Sequence, residues 1–118
     1  MPGPAPLREP TYFILAALLD QPRHGYAVAD EVEAMSKGRV RLTAGTLYGA
    51  LDRLLTEGLV LVDREETVQG RRRRYYRLSD DGRERLALEV ERMEQAVAAA
   101  GAKLRGARRR SASKAATA

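Results

Sequence analysis

Thr43-Ala44-Gly45-Thr46-Leu47-Tyr48-Gly49-Ala50-Leu51-Asp52-Arg53-Leu54-Leu55-Thr56-Glu57-Gly58 reads as one helix with both ends marked. Thr43 offers a side-chain oxygen to the orphan amides of a first turn. Gly58, directly after Glu57, sits where a left-handed residue ends a helix. At 100° per residue, Leu47, Leu51, Leu54 and Leu55 share one face. The other face carries Gly45, Thr46, Gly49, Asp52, Arg53 and Thr56. That is a costly solvent face, because each glycine weakens a helix by roughly 1 kcal/mol relative to alanine. Small side chains near the amino-terminal end let a helix lie close to a rigid surface such as the floor of the DNA major groove, where base pairs are told apart by their donors and acceptors. Packing of the glycines against a neighbouring element is the competing explanation. Thr46, Asp52 and Arg53 are the polar candidates for such reading. Tyr48 lies at the edge of the apolar face and fits two roles equally: a hydroxyl that reaches a phosphate, or a half-buried aromatic with a wet hydroxyl.

Upstream, residues 1–10 hold four of the five prolines and read as a disordered lead-in. Thr11 is an N-cap candidate for a buried helix, Tyr12-Phe13-Ile14-Leu15-Ala16-Ala17-Leu18-Leu19, stopped at Asp20-Gln21-Pro22. A second helix is expected from Gly25 to Met35, with Tyr26, Ala29, Val32 and Met35 as its apolar stripe, before Ser36-Lys37-Gly38 breaks it. Downstream, Leu59-Val60-Leu61-Val62 is a β-rich run followed by the polar stretch Glu65 to Gly70. A second run, Arg73-Arg74-Tyr75-Tyr76-Arg77-Leu78, alternates with period two. The two form a hairpin with its tip at Thr67 to Arg72. Three helices and then a basic hairpin give a mainly α fold with a small β-hairpin, a winged helix-turn-helix over residues 11–79.

Ser79-Asp80-Asp81-Gly82 caps a last helix, its acids matching the positive amino-terminal end of the helix dipole. Leu86, Val90, Met93, Val97, Ala100 and Leu104 recur at spacings of 4, 3, 4, 3 and 4, an a/d seam that a partner subunit would bury. Residues 80–105 are therefore expected to be a dimerisation helix, and the Arg-, Ser- and Ala-rich residues 106–118 a disordered basic tail of open role.

The chain, 118 residues and 44% hydrophobic, suffices for one modest domain. Its net charge of +5 is unevenly spread: residues 103–118 carry six bases and no acid, leaving 15 bases against 16 acids elsewhere. Clustering, rather than net charge, makes a phosphate-binding face. The clusters are Lys37-Arg39-Arg41 and Arg71-Arg72-Arg73-Arg74 with Arg77. Four adjacent guanidiniums repel unless an anion neutralises them, which favours DNA contact over a merely solvated tip. Arg77, nearer the body, is as suited to pair with an acid such as Asp63 or Glu65 as to contact DNA. The absence of cysteine excludes disulfides and thiolate metal sites, and no cofactor or metal is expected. The longest apolar run, Phe13 to Leu19, is too short to span a bilayer, and Met1 to Pro6 do not form a secretory signal, so a cytoplasmic protein with no membrane partner is expected. A lone histidine, His24, without a nucleophile elbow or a phosphate loop, argues against an enzyme.

Three stretches carry a resemblance: His24-Gly25-Tyr26; Gly45-Thr46-Leu47-Tyr48 through Leu51, Arg53-Leu54 and Glu57-Gly58-Leu59-Val60; and Gly70-Arg71-Arg72-Arg73-Arg74-Tyr75-Tyr76-Arg77-Leu78 with Ser79 to Gly82. Together they resemble the PadR family of bacterial transcriptional regulators over about residues 11–100. The single carboxy-terminal helix is similar to the compact branch of that family. The resemblance implies a homodimer that represses by occupying an inverted-repeat operator and is released by a small molecule or stress signal. The expected partners are double-stranded DNA, a second copy of the chain and a small-molecule effector. The recognition-helix residues are then Thr43, Gly45, Thr46, Tyr48, Gly49 and Arg53, and the wing residues Arg71, Arg72, Arg73 and Arg74. The dimer interface is Leu86, Val90, Met93, Val97 and Leu104. Tyr12, Phe13, Met93 and Val97 are the expected effector pocket, where the first and last helices meet. The alternative is a winged-helix adaptor that binds protein partners and has no specific DNA site. The basic tail lies outside the family pattern.

Overall fold

Leu47, Leu51 and Leu54 are buried together with Ile14, Leu15, Val28, Val32 and Val60, the largest fully buried side chains of a computed structural model that describes residues 3–117. Burying each such side chain contributes about 1.5–3 kcal/mol, so these eight positions hold the helices in place. The elements run α1 (Glu9–Ala17), β1 (Arg23–His24), α2 (Gly25–Met35), α3 (Ala44–Thr56), β2 (Val60–Val68), β3 (Arg71–Leu78) and α4 (Asp80–Thr117). The strands form one antiparallel sheet in the order β1-β3-β2. Two compact units divide the chain, the first ending at Ala87 and the second beginning at Leu88. No helix among the described residues is long and apolar enough to cross a membrane.

Both ends of α3 are built as the sequence predicts. Thr43 Oγ1 accepts from the Thr46 amide at 3.2 Å. At the other end Gly58 takes φ +75°, its amide donates to the Leu55 carbonyl, and the Leu59 amide donates to the Leu54 carbonyl. This paired closure satisfies two carbonyls that the helix leaves open and needs the left-handed residue that glycine supplies.

Several expectations are corrected. The first helix begins at Glu9, so Pro10 occupies its first turn, where a missing amide costs nothing, and Thr11 is a buried helical residue instead of the cap. Tyr26 is not on the buried stripe of α2 but 64% exposed; Gly25, Val28 and Val32 are the buried positions there, and Met35 is exposed as well. The short strand β1, too brief for any periodicity to show, pairs Arg23 with Tyr76 and His24 with Tyr75.

The hairpin is longer and its turn tighter than expected. The ladder continues to Val68↔Arg71, so Arg71 and Arg72 are strand residues and the tip is Gln69-Gly70, both at positive φ. Such a two-residue turn matches the twist of the strands it joins. The polar stretch reads as loop from composition, yet Glu65 faces Arg74, Glu66 faces Arg73 and Thr67 faces Arg72 across the ladder. Opposite charges directly across a strand pair stabilise it, which composition alone hides. Asp63 is an extra residue on β2, between the pairs Val62↔Tyr76 and Arg64↔Tyr75.

The base of the hairpin is tied to the start of α4. The Ser79 amide donates to the Leu59 carbonyl, the Ser79 hydroxyl donates to the Gly58 carbonyl at 2.7 Å, and the Gly82 amide donates to Ser79 Oγ at 2.9 Å. A Cβ on Gly82 would stand 2.0 Å from the Leu59 carbonyl oxygen, so only glycine permits this approach.

The disordered basic tail expected from residue 106 is also corrected: α4 continues unbroken to Thr117. Its alanines and arginines are strong helix formers, and no proline interrupts them. Likewise, the lead-in without regular structure ends at Arg8 rather than residue 10. Positions 1, 2 and 118 of the expected lead-in and tail lie outside the described residues.

Candidate nucleic-acid interface

The glycines of α3 face open space. A Cβ placed on Gly45 or on Gly49 would meet nothing within 4 Å, so neither glycine is there to admit a neighbour from its own chain. Thr46 is exposed beside them, and its hydroxyl accepts from Thr43 Oγ1 at 3.0 Å, which leaves its own proton to donate outward. Arg53 leaves this face. Its guanidinium donates to Thr11 Oγ1 on α1 at 3.1 Å and lies 4.0 Å from Glu57. It also borders a second cleft, of about 390 Å³, with Arg8, Thr11 and Arg85. The sequence places Arg53 on the same face as Gly49, whereas its side chain spans to α1.

Between α3 and the hairpin runs a cleft of about 400 Å³, lined by His24, Gly25, Tyr26, Tyr48, Asp52, Tyr76 and all four of Arg71 to Arg74. Tyr48 forms its wall. The Tyr48 hydroxyl lies where a side chain on Gly25 would go, 2.5 Å from the position of a Cβ there, and its ring meets Tyr26 edge-on at 6.4 Å. Burial pushes the Tyr48 hydroxyl pKa above its ordinary value, helped by the neighbouring tyrosines 26 and 76, so it stays a neutral donor. The ring of Tyr48 is packed on the Gly25 backbone and its hydroxyl opens on a polar cleft.

His24 was missed as a site residue. Its Nδ1 accepts from the Ala27 amide at 3.3 Å, capping α2, and its ring meets Tyr75 edge-on at 5.6 Å. Accepting that bond requires the neutral imidazole. Burial first, then the cation of Arg73, lower its pKa below the ordinary histidine value, with Asp30 opposing. The signal for His24 and Tyr26 was in the sequence as His24-Gly25-Tyr26, but the helix wheel assigned Tyr26 to the core.

The wing arginines are not four equal cations. Strand alternation separates them. Arg72 and Arg74 both reach Glu65, at 3.6 and 3.2 Å. Arg71 and Arg73 make no ion pair within 4 Å among the described residues; Arg73 feels Glu66 across the ladder without bonding it, so both guanidiniums can still take an external anion. The repulsion expected of four adjacent guanidiniums is thus partly relieved from within. Arg77 pairs with an acid, Asp63, at 3.7 Å. Arg64 stacks 3.9 Å over the Tyr75 ring and bonds Glu66 at 2.7 Å and Asp63 at 2.8 Å. The other basic cluster is also largely paired, Arg39 with Glu9 at 2.7 Å and Arg41 with Glu33 at 3.2 Å.

Of the seam residues, Leu86 is 4% exposed and belongs to the core of the first unit, which removes it from any partner surface. In the second unit Val90 is half-buried, Met93 is exposed, and Val97 and Leu104 are 71% and 60% exposed. Tyr12 and Phe13 form an edge-to-face pair at 5.2 Å in the first unit. Neither cleft described above is lined by Tyr12, Phe13, Met93 or Val97.

The chain has relatives in both sequence and fold. Residues 14–88 match the transcriptional regulator PadR-like family. The chain is 42% identical over 80 residues to an uncharacterized 37.1 kDa protein in transposon TN4556 of Streptomyces fradiae, a match that covers 68% of this chain but 21% of that protein. It spans about a fifth of that relative's length. In fold it is similar to a transcriptional regulator from Clostridium thermocellum, with a TM-score of 0.66 at 22% identity over 77% of this chain and 88% of the other. It is similar as well to Bacillus subtilis PadR in complex with operator DNA, with a TM-score of 0.60 at 22% identity over 68% of this chain and 46% of that one.

Proposed function

The chain belongs to the PadR-like family of transcriptional regulators, and from that premise we propose that it represses transcription by binding an inverted-repeat operator as a homodimer. Members of this family are regulators and not enzymes. The observation that carries the reading is the open glycine face of α3 beside the arginine-lined cleft. With Gly45 and Gly49 toward the groove floor, Thr46 in the first turn comes nearest the base edges and reads them. The Tyr48 hydroxyl, Arg71 and Arg73 hold the phosphates, which fix register without reading sequence. Arg53, anchored on α1, acts on affinity more than on base choice.

The second copy joins through Val90, Met93, Val97 and Leu104, whose 3- and 4-residue spacing suits helix against helix. A small molecule or stress signal releases the operator. The test is selection of bound fragments from the source genome, followed by affinity measurements on the enriched sequence. Recovery of a palindromic site, whose preference shifts in Thr46→Ala by roughly 1–3 kcal/mol at one position, supports the reading. Fragments with no shared motif would refute it. Sedimentation of Val90→Asp/Val97→Asp is expected to show monomer.

A further inference from the structure

Helix α4 changes character along its length. From Asp80 to Glu94 it carries six acids and three bases; from Gln95 to Thr117 it carries six bases and no acid. Lys103, Arg105, Arg108, Arg109 and Arg110 are all exposed, and none makes an ion pair among the described residues. We infer that this distal part of α4 is a helical cationic arm that binds the phosphate backbone of duplex DNA independently of sequence, outside the contacts of α3 and the wing.

Helix-dipole compensation does not account for the charge. That effect is confined to the last turn, where only Lys114 lies. The remaining bases work against the helix, since Arg105–Arg109 and Arg110–Lys114 are like charges four residues apart. Such a charge density is stabilised by an external polyanion.

Geometry and composition select DNA among polyanions. Relative to Leu104, steps of 100° put Lys103 and Arg110 roughly 100–120° to one side, Arg105 and Arg109 roughly 100–140° to the other, and Arg108 about 40° away, at the edge of the seam. Two basic stripes thus flank the apolar seam, and a second helix docked on the seam leaves both open. The guanidiniums of Arg105 and Arg110 lie back over Gly101 and Gly106, within 3.2 and 3.5 Å of where a Cβ would stand, so these two arginines run along a slender rod. Arginine suits phosphate, which it grips with two parallel hydrogen bonds. Beyond Leu104 the rest is alanine, glycine, serine and threonine. That leaves no aromatic or aliphatic anchor of the kind a protein partner's pocket would take, and no apolar face to enter a membrane interface.

The test compares the full chain with its Arg105→Ala/Arg108→Ala/Arg109→Ala/Arg110→Ala variant on a random-sequence 30-base-pair duplex across a salt series. Alanine keeps the helix, which circular dichroism checks. The slope of log affinity against log salt is expected to lose about 0.9 for each arginine in contact, and up to about 3.6 per chain, with at least a tenfold loss of affinity at low salt. Replacement of the same four positions by lysine should restore most of the slope. An unchanged slope in a helical variant overturns the inference. So does poly-L-glutamate competing as well as duplex at equal charge, which would mark an acidic protein surface as the partner. The inference is independent of the operator reading: Gly49→Leu should lose preference for the operator yet keep the arm's share of the slope, and the four-alanine variant should do the reverse.

Discussion

Helix α3 and the hairpin both face the same cleft, but they are prepared for a ligand in opposite ways. The glycine face of α3 is left empty: two glycines at which a Cβ would meet nothing within 4 Å, and an exposed threonine between them. The hairpin is crowded with charge and has already neutralised part of it, since Glu65 holds Arg72 and Arg74 while Arg71 and Arg73 stay open. On the proposed reading, affinity from α3 depends on shape, and affinity from the wing depends on which arginines are uncommitted. A count of basic residues would miss the second point and a hydrophobicity plot the first.

Gly49→Leu separates these contributions most sharply. Leucine is the better helix former by up to about 1 kcal/mol and meets no neighbour, so the thermal melt should rise by a few degrees. Operator affinity should fall at least ~100-fold, about 2.7 kcal/mol, because the side chain lifts α3 from the groove. A folded variant that binds at full strength would show that α3 does not enter the groove.

Gly25→Ala comes next. Its Cβ would displace the Tyr48 ring, at a cost of about 1–3 kcal/mol in stability together with a loss of operator affinity. In a Tyr48→Ala background the same change should cost almost nothing; a cycle without that coupling would mean that the clash is relieved elsewhere.

Within the wing, Arg73→Ala should reduce the salt slope by about 0.9, whereas Arg72→Ala should reduce it less. Glu65→Gln, by releasing Arg72 and Arg74, should steepen the slope and raise affinity for any duplex. Equal slopes for all three would erase the distinction between committed and open arginines.

The smallest effect is on pH. The folded-state pKa of His24 lies below its ordinary value near 6.5, so its neutral form stabilises the protein. That contribution is complete above the unfolded value and is lost as pH falls through the lowered folded one. Melting temperature should therefore drop on acidification from pH 7.5 to 5, and His24→Asn, which caps α2 without titrating, should flatten the decline.

Where the sequence spoke through regular spacing or through end signals, it was legible. Leu47, Leu51 and Leu54 identified the buried face of α3, and Thr43 and Gly58 its limits. The arginine cluster and Tyr48, read as parts of one site, do line one cleft. What escaped were features set by partners distant in the chain. Tyr26 looks like a core residue on a helix wheel until Tyr48 gives it an exposed ring contact. Glu65 to Val68 look like a loop until Arg71 to Arg74 pair across from them. Arg53 looks groove-facing until Thr11 draws it aside. The distal half of α4 is hidden for another reason: its charge and low complexity resemble a disordered tail, whereas its alanines and arginines favour helix.

The knot at Ser79 has a mechanical consequence. Gly58 ends α3, Leu59 leads into the wing, Ser79 leaves it, and Gly82 lies in the first turn of α4, all joined by short hydrogen bonds with no room at Gly82 for even a methyl group. The joint has no slack. A twist of the first turn of α4 by a few degrees is delivered at once to the end of α3 and to both feet of the wing, the way a crank moves two rods from one pin.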